Sequence, residues 1–75
     1  MVFETIREMI VQCLGCGPER VTPETVLMED LACSAAELGD VLLAVEGEFG
    51  ASVPDDFPLD RLTVADLVRL AEESA

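Results

Sequence analysis

One segment of the chain carries an amphipathic pattern that constrains the fold more than any other feature. Between residues 38 and 49, apolar residues recur at helical spacing, at Leu38, Val41, Leu42, Val45 and Phe49. At about 100° per residue they share one arc of a helix surface, which predicts a helix with one buried face. Its predicted start is a capping box, in which Ser34 and Glu37 satisfy each other's backbone N–H groups. Gly50 is placed to end the helix.

Two more helices are predicted, one at each end of the chain. The first carries an apolar stripe and ends at Gly15; its members are Phe3, Ile6, Met9, Ile10, Cys13 and Leu14. The last begins at Thr63, where Asp66 completes a second capping pair. Its inward residues are predicted to be Val64, Leu67, Val68 and Ala71.

The segments between these helices are predicted to be mostly irregular. A long loop runs from about Gly15 to Ala32, and a turn-rich stretch follows Gly50, with room for one short helical turn near Leu59 and Leu62. No segment alternates with period two for long enough to form a strand. We therefore predict a single all-α domain over residues 1–75, a four-helix bundle with a long first loop and a short third helix.

The charge balance limits the partners that this chain can bind. The chain has sixteen acidic and four basic residues, for a net charge of −12, and no basic residue occurs between Val21 and Asp60. Phosphate would be repelled, so we expect no binding to nucleic acid and none to anionic membranes. We expect instead partners with a basic patch. No apolar run is long enough to span a bilayer, and the first residues lack the basic region of a signal peptide, which predicts a cytoplasmic location. We also expect the protein to be a monomer.

The ordered features of the chain resemble the acyl carrier protein family. Glu29-Asp30-Leu31 is similar to the family's lead-in to its attachment serine, and Glu46-Gly47-Glu48-Phe49 to the end of its second helix. Val53-Pro54-Asp55 is similar to the turn that follows, and Leu14-Gly15 to the end of the first helix. The resemblance covers essentially all 75 residues. It implies a carrier that acts in fatty-acid, polyketide or related acyl metabolism and that is not itself an enzyme.

The defining motif of the family departs from its usual form in this chain. In the family, Asp-Ser-Leu opens the second helix, and its serine carries 4′-phosphopantetheine through a phosphodiester. Counting from Leu31 or back from Phe49 places Ala35 on the family serine and Ser34 on the aspartate. Ser34 is then an N-cap, the role that Asp and Ser share. The alternatives are modification at Ser34, displaced by one residue, and a serine deliberately replaced by Ala35.

The resemblance also implies a surface for partner enzymes. In the family, the second helix docks through acidic side chains around a few apolar contacts. The matching residues here are Glu37, Asp40, Leu43, Glu46, Glu48 and Asp55. Leu43 is the notable member, because it lies about 140° from Leu38 and away from the buried stripe. The alternative function is a degenerate carrier fold without phosphopantetheine that binds a partner as a structural or regulatory subunit.

The cysteines form a second candidate constellation, Cys13-Leu14-Gly15-Cys16, with Cys33 further along. Redox pairs of this spacing occur at helix N-termini, where the helix dipole stabilises the thiolate, whereas this pair lies at a predicted helix C-terminus. We expect both to be buried small hydrophobic residues, with a small redox protein as the alternative. Zinc would need a fourth ligand, and the chain has no histidine, so we predict no metal site.

Overall fold

The computed structural model of the chain describes residues 1–74. Three long helices form its frame: α1 (Val2–Leu14), α3 (Ala35–Phe49) and α4 (Val64–Ser74). A fourth helix, α2 (Leu27–Asp30), is a single turn, and two 3₁₀ turns lie at Pro18–Arg20 and Leu59–Arg61. Within residues 1–74 the only β pairing is one isolated bridge between Val26 and Thr63. The predicted all-α four-helix fold is confirmed.

The three long helices pack against one another around a single core. α1 contacts both α3 and α4, α3 contacts α4, and α2 packs on α3 and on the turn at Leu59–Arg61. The fully buried large side chains come from every helix: Ile6, Ile10, Leu27, Leu38, Val41, Val45, Leu62, Val64 and Leu67. Leu42 and Phe49, the other members of the predicted α3 stripe, are half-buried and pack against this core. The helical spacing in the sequence therefore identified the buried face of α3.

Glycine ends the two longest helices. Gly15 after α1 has φ +70° and Gly50 after α3 has φ +69°, both in the left-handed region that side chains disfavour. Each glycine amide donates to the carbonyl four residues earlier, at 2.8 Å, and so satisfies a free carbonyl of the last turn. Both helix ends lie where the sequence predicts them.

The predicted long loop contains more structure than the sequence indicated. Pro23 lies in a turn, and the loop also holds α2. A helix of four residues is too short for its periodicity to be recognised in the sequence. Side chains fix its place: the Arg20 guanidinium donates to the Asp30 carbonyl at 2.8 Å, and the Asp30 carboxylate accepts from the Val26 amide at 2.8 Å. The predicted short third helix is the 3₁₀ turn at Leu59–Arg61.

One expectation about α1 is wrong. Cys13 was expected to be buried, but its side chain is exposed, while Cys16 is half-buried and packs against the core. In the last turns of α1, Val11 packs against the core instead. Around the helix Cys13 lies only about 20° from the buried Ile6, in line with the stripe, but it is in the last turn of α1. The buried part of the stripe therefore ends before Cys13.

Candidate functional site

The start of α3 is a complete capping box on the protein surface. Ser34 is the N-cap, and its Oγ accepts from the Glu37 amide at 3.1 Å. In return, Glu37 Oε1 accepts from the Ser34 amide at 2.9 Å. Residues 34–37 are all exposed. The predicted cap is confirmed, and it leaves this helix start open to a partner.

The chain reaches this cap through a strained residue. Ala32 has φ +54°, and in residues 1–74 no other non-glycine residue has positive φ. A side chain in this left-handed region costs about 1–2 kcal/mol relative to ordinary backbone. The bend at Ala32 comes between α2 and the cap, so it sets how α3 begins. Sequence reasoning missed this bend, because alanine gives no signal for positive φ.

The cysteine beside the cap is sequestered and does not supply a nucleophile. Cys33 is 5% exposed, and its Sγ donates to the Ser34 carbonyl at 3.4 Å. Burial, and secondarily the negative charge of Glu37, raise the pKa of the Cys33 thiol above its usual value. The thiol therefore stays protonated near neutral pH, the form that is poorly nucleophilic.

The two candidate attachment positions differ in what they offer to a phosphopantetheine arm. Ala35, the first residue of α3, is exposed but has no side-chain oxygen to link, so it does not fit the group. Ser34 offers the one hydroxyl in residues 34–37, and it is exposed. Its oxygen, however, is the acceptor that caps α3. The only available hydroxyl is thus already used to hold the helix start.

A groove runs beside α3, on the side where the segment 53–59 crosses it. The groove has a volume of about 300 Å³ and is open to solvent. Its lining residues on α3 are Gly39, Leu42, Leu43 and Glu46, and those opposite are Val53, Pro54, Asp55 and Leu59. Leu43 is 68% exposed and Leu59 is 41% exposed. Among residues 1–74 the only other exposed large hydrophobic side chain is Met1, so both internal ones line this groove.

Glu46 joins the two walls of the groove. Its side chain is half-buried, and its Oε2 accepts from the Val53 amide at 3.3 Å. This hydrogen bond connects α3 to the segment that follows Gly50. Glu46 therefore has a structural part in the groove, which the charge pattern alone did not indicate.

The structure places three of the six predicted partner-binding residues at the groove. Leu43, Glu46 and Asp55 line the groove. Glu37 and Glu48 are exposed but lie on the side of α3 away from Glu46, because they are displaced from it by about 180–200° around the helix. Asp40 is also exposed, and its position is about 60° from Leu43. The acids thus cover a broad arc of α3, and only part of that arc borders the groove.

Residues 1–74 contain no cluster of three side chains suited to hold a metal ion. None of their helices has the length and apolar character needed to cross a membrane. All three cysteines are free, and Cys13 and Cys33 differ in burial.

Several curated proteins named acyl carrier protein are similar to this chain. Acyl carrier proteins of Bradyrhizobium sp. (strain ORS 278), Rhodopseudomonas palustris (strain TIE-1) and Afipia carboxidovorans are each 32% identical to it over 74 residues. Each alignment covers 99% of this chain and 94% of the relative. No protein-family profile matches the chain. The similarity nevertheless extends over nearly the whole of both chains, and with the helical fold it shows that this chain belongs to the acyl carrier protein family.

Proposed function

We propose that the chain acts in acyl metabolism as a docking module of the carrier type, not as an enzyme. It presents α3 to partner enzymes that carry a basic patch. One observation carries this proposal: residues 34–37, the position where the family bears its cargo, are exposed at the head of a helix lined with acids. Family membership supports the same role. The net charge of −12 favours basic partners and disfavours self-association, so the module works as a monomer.

Phosphopantetheine, where a carrier bears it, supplies a thiol that holds an acyl chain as a thioester. In this chain the family position falls on Ala35, and the residue present there does not fit the group. Ser34 holds its hydroxyl in the capping box. This arrangement favours a second candidate function, in which the chain is a degenerate carrier that binds partners as a structural or regulatory subunit without the arm.

Intact mass spectrometry after incubation with coenzyme A and a phosphopantetheinyl transferase tests both functions. We expect the unaltered chain to gain little or no arm. The matched variant Ser34→Asp, Ala35→Ser, Ala36→Leu rebuilds the family motif in register, and we expect it to gain one arm. The reason is geometric, because a shift of one residue turns the hydroxyl by about 100° around the helix axis.

Each other outcome changes a specific part of the proposal. Efficient modification of the unaltered chain, located at Ser34 by peptide mass spectrometry, would show that it is a working carrier and not a degenerate one. Failure of the rebuilt variant to accept the arm would show that α3 is not presented in the way that a transferase of this family recognises.

The role of the acids is tested with the same rebuilt variant. Asp40 and Glu4 are both exposed, but Asp40 lies on α3 and Glu4 on α1. We expect Asp40→Lys to slow modification and the control Glu4→Lys, with the same change in charge, to leave the rate nearly unchanged. The rate should also fall as salt is raised, because salt screens attraction between exposed charges. Equal effects of both substitutions would indicate a response to net charge alone.

A further inference from the structure

We propose that Arg20 is a positioning residue for the start of α3, the place where the family bears its cargo. Its guanidinium holds the end of α2 against the first loop, and through the strained Ala32 it fixes where Ser34 and Ala35 lie. The inference rests on the proposed carrier-type function and deepens it, because it assigns the geometry of this position to a residue outside α3.

The two ends of α2 are tied to the rest of the protein by different contacts. At its start, the Leu27 amide donates to the Leu62 carbonyl at 3.1 Å. At its end, the Arg20 guanidinium donates to the Asp30 carbonyl at 2.8 Å, and hydrogen bonds from charged donors are stronger than neutral ones. The Cys33 amide also donates to the Leu27 carbonyl, but its 3.4 Å distance is long for a hydrogen bond. The end of α2 therefore depends mainly on Arg20.

The backbone of Arg20 is itself fixed by a buried threonine. Within residues 1–74, Thr25 is the only polar side chain that is buried, at 5% exposed. Its Oγ1 donates to the Arg20 carbonyl at 3.0 Å and accepts from the Thr22 amide at 2.9 Å. Its carbonyl accepts from the Val64 amide of α4 at 3.0 Å. The Arg20 guanidinium thus reaches Asp30 from a backbone that is tied to α4.

The strained bend at Ala32 makes the position of the α2 end important for α3. A residue that is held in an unfavourable backbone conformation keeps it only where the chain around it is fixed. Ala32, with φ +54°, lies two residues after Asp30 and two before Ser34. Arg20 holds the first of these neighbours, and the capping box holds the second. Release of Arg20 would allow Ala32 to relax, and the start of α3 would move with it.

The first experiment measures amide hydrogen exchange by NMR in the full chain. The Leu38 amide donates to the Ser34 carbonyl at 2.8 Å, so its exchange reports the opening of the first turn of α3. The Leu67 amide, in the first turn of α4, is the internal reference. We expect Arg20→Gln to raise the exchange rate of Leu38 about fivefold more than that of Leu67, as for the loss of one hydrogen bond.

Three further variants separate positioning from other effects of the substitution. Arg69→Gln is the matched control: it removes the same charge from an exposed arginine on α4 and should leave the exchange of Leu38 nearly unchanged. Arg20→Lys keeps the charge and a donor, so it should restore part of the protection. Ala32→Gly removes the cost of positive φ, so Arg20→Gln in that background should change the exchange of Leu38 about twofold or less.

The kinetics of arm transfer provide a second readout in the rebuilt variant Ser34→Asp, Ala35→Ser, Ala36→Leu. We expect Arg20→Gln to lower kcat about fivefold with little change in KM. The acceptor hydroxyl would be displaced from its reactive geometry, whereas the acids of α3 that attract the transferase are unaltered. Arg69→Gln should change neither constant.

Several results would overturn the proposal. These are equal rises in exchange at Leu38 and Leu67, an effect of Arg69→Gln as large as that of Arg20→Gln, or an effect of Arg20→Gln that is the same in the Ala32→Gly background. The exchange experiment needs neither transferase nor arm. If the rebuilt motif accepts phosphopantetheine while the exchange results fail, the positioning proposal fails and the proposed function stands. If the exchange results hold and the rebuilt motif is not modified, Arg20 positions α3 and the proposed function fails.

Discussion

Two helices of this protein begin with the same local chemistry in opposite surroundings. At α3, Ser34 and Glu37 form a capping box. At α4, Thr63 and Asp66 form another. Thr63 Oγ1 accepts from the Asp66 amide at 3.1 Å, and Asp66 Oδ2 accepts from the Thr63 amide at 3.1 Å. The α3 pair is exposed, whereas the α4 pair is half-buried. The comparison shows that a local motif sets where a helix begins, and that the surrounding chain decides whether the start is available to a partner.

The start of α4 is enclosed by backbone from the first half of the chain. The Val64 amide donates to the Thr25 carbonyl at 3.0 Å, and the Ala65 amide donates to the Pro23 carbonyl at 2.9 Å. The Leu27 amide donates to the Leu62 carbonyl at 3.1 Å. The start of α3, in contrast, follows the strained Ala32 and is exposed at every residue from 34 to 37. The start of α4 is therefore tied to the core by backbone hydrogen bonds, whereas the start of α3 lies on the surface.

The largest expected effect comes from the enclosed start. Leu62, directly before Thr63, is fully buried, so Leu62→Ala removes apolar contacts and leaves a cavity. We expect the free energy of unfolding to fall by about 2–5 kcal/mol, measured by urea denaturation with circular dichroism. Leu59→Ala is the matched control, because Leu59 is partly exposed and its loss should cost much less. Similar losses for both variants would mean that Leu62 is not part of the core.

The next prediction compares the two caps directly. We expect Ser34→Ala to lower the free energy of unfolding by about 1 kcal/mol. Thr63→Ala should cost up to about 2 kcal/mol, because it leaves the half-buried Asp66 amide without its partner in a place that water reaches less easily. The measurement is the same urea denaturation. A larger loss for Ser34→Ala than for Thr63→Ala would reverse the comparison.

A smaller effect, of opposite sign, is expected at the bend before α3. Ala32→Gly relieves the cost of a side chain at φ +54°, and glycine's greater freedom in the unfolded chain offsets part of the gain. We expect a net increase in stability of about 0.5–1 kcal/mol. Ala36→Gly, in the first turn of α3, is the control and should lower stability by a similar amount. Loss of stability in Ala32→Gly would contradict the strained backbone at this position.

The smallest expected effect tests whether capping α3 is the whole contribution of Ser34 to the stability of the fold. Ser34→Asp keeps a side-chain acceptor for the Glu37 amide, so thermal unfolding should give a stability within about 0.5 kcal/mol of the unaltered chain. A marked loss would show that the serine hydroxyl has a further contact that aspartate cannot replace.

Much of the fold was predictable because its signals are local. The stripe through Leu38, Val41 and Val45 and both capping boxes follow from spacing and residue type, and the structure has them where they were expected. The enclosed start of α4 was not predictable, because its hydrogen bonds to residues 23 and 25 join segments that are far apart in the chain.

The candidate site was predictable as a region and not in its detail. The sequence indicated the exposed Leu43 and the acids near it, and the structure adds the opposite wall with Leu59. The pairing of Glu46 with the Val53 amide depends on how the chain returns after Gly50, which no local pattern encodes. Positive φ at Ala32 was missed for a related reason, since a tertiary constraint imposes it against the preference of the residue.

The hydrogen bonds that enclose the start of α4 also have a consequence for how the chain folds in time. They connect residues 23–27 with residues 62–65, so they form only after a large part of the chain has closed into a loop. Such nonlocal contacts form slowly, whereas α1 and α3 can form from local interactions. The amides of Leu27, Val64 and Ala65 should then exchange with deuterium as one cooperative unit, opening together when the long first loop leaves the end of α4.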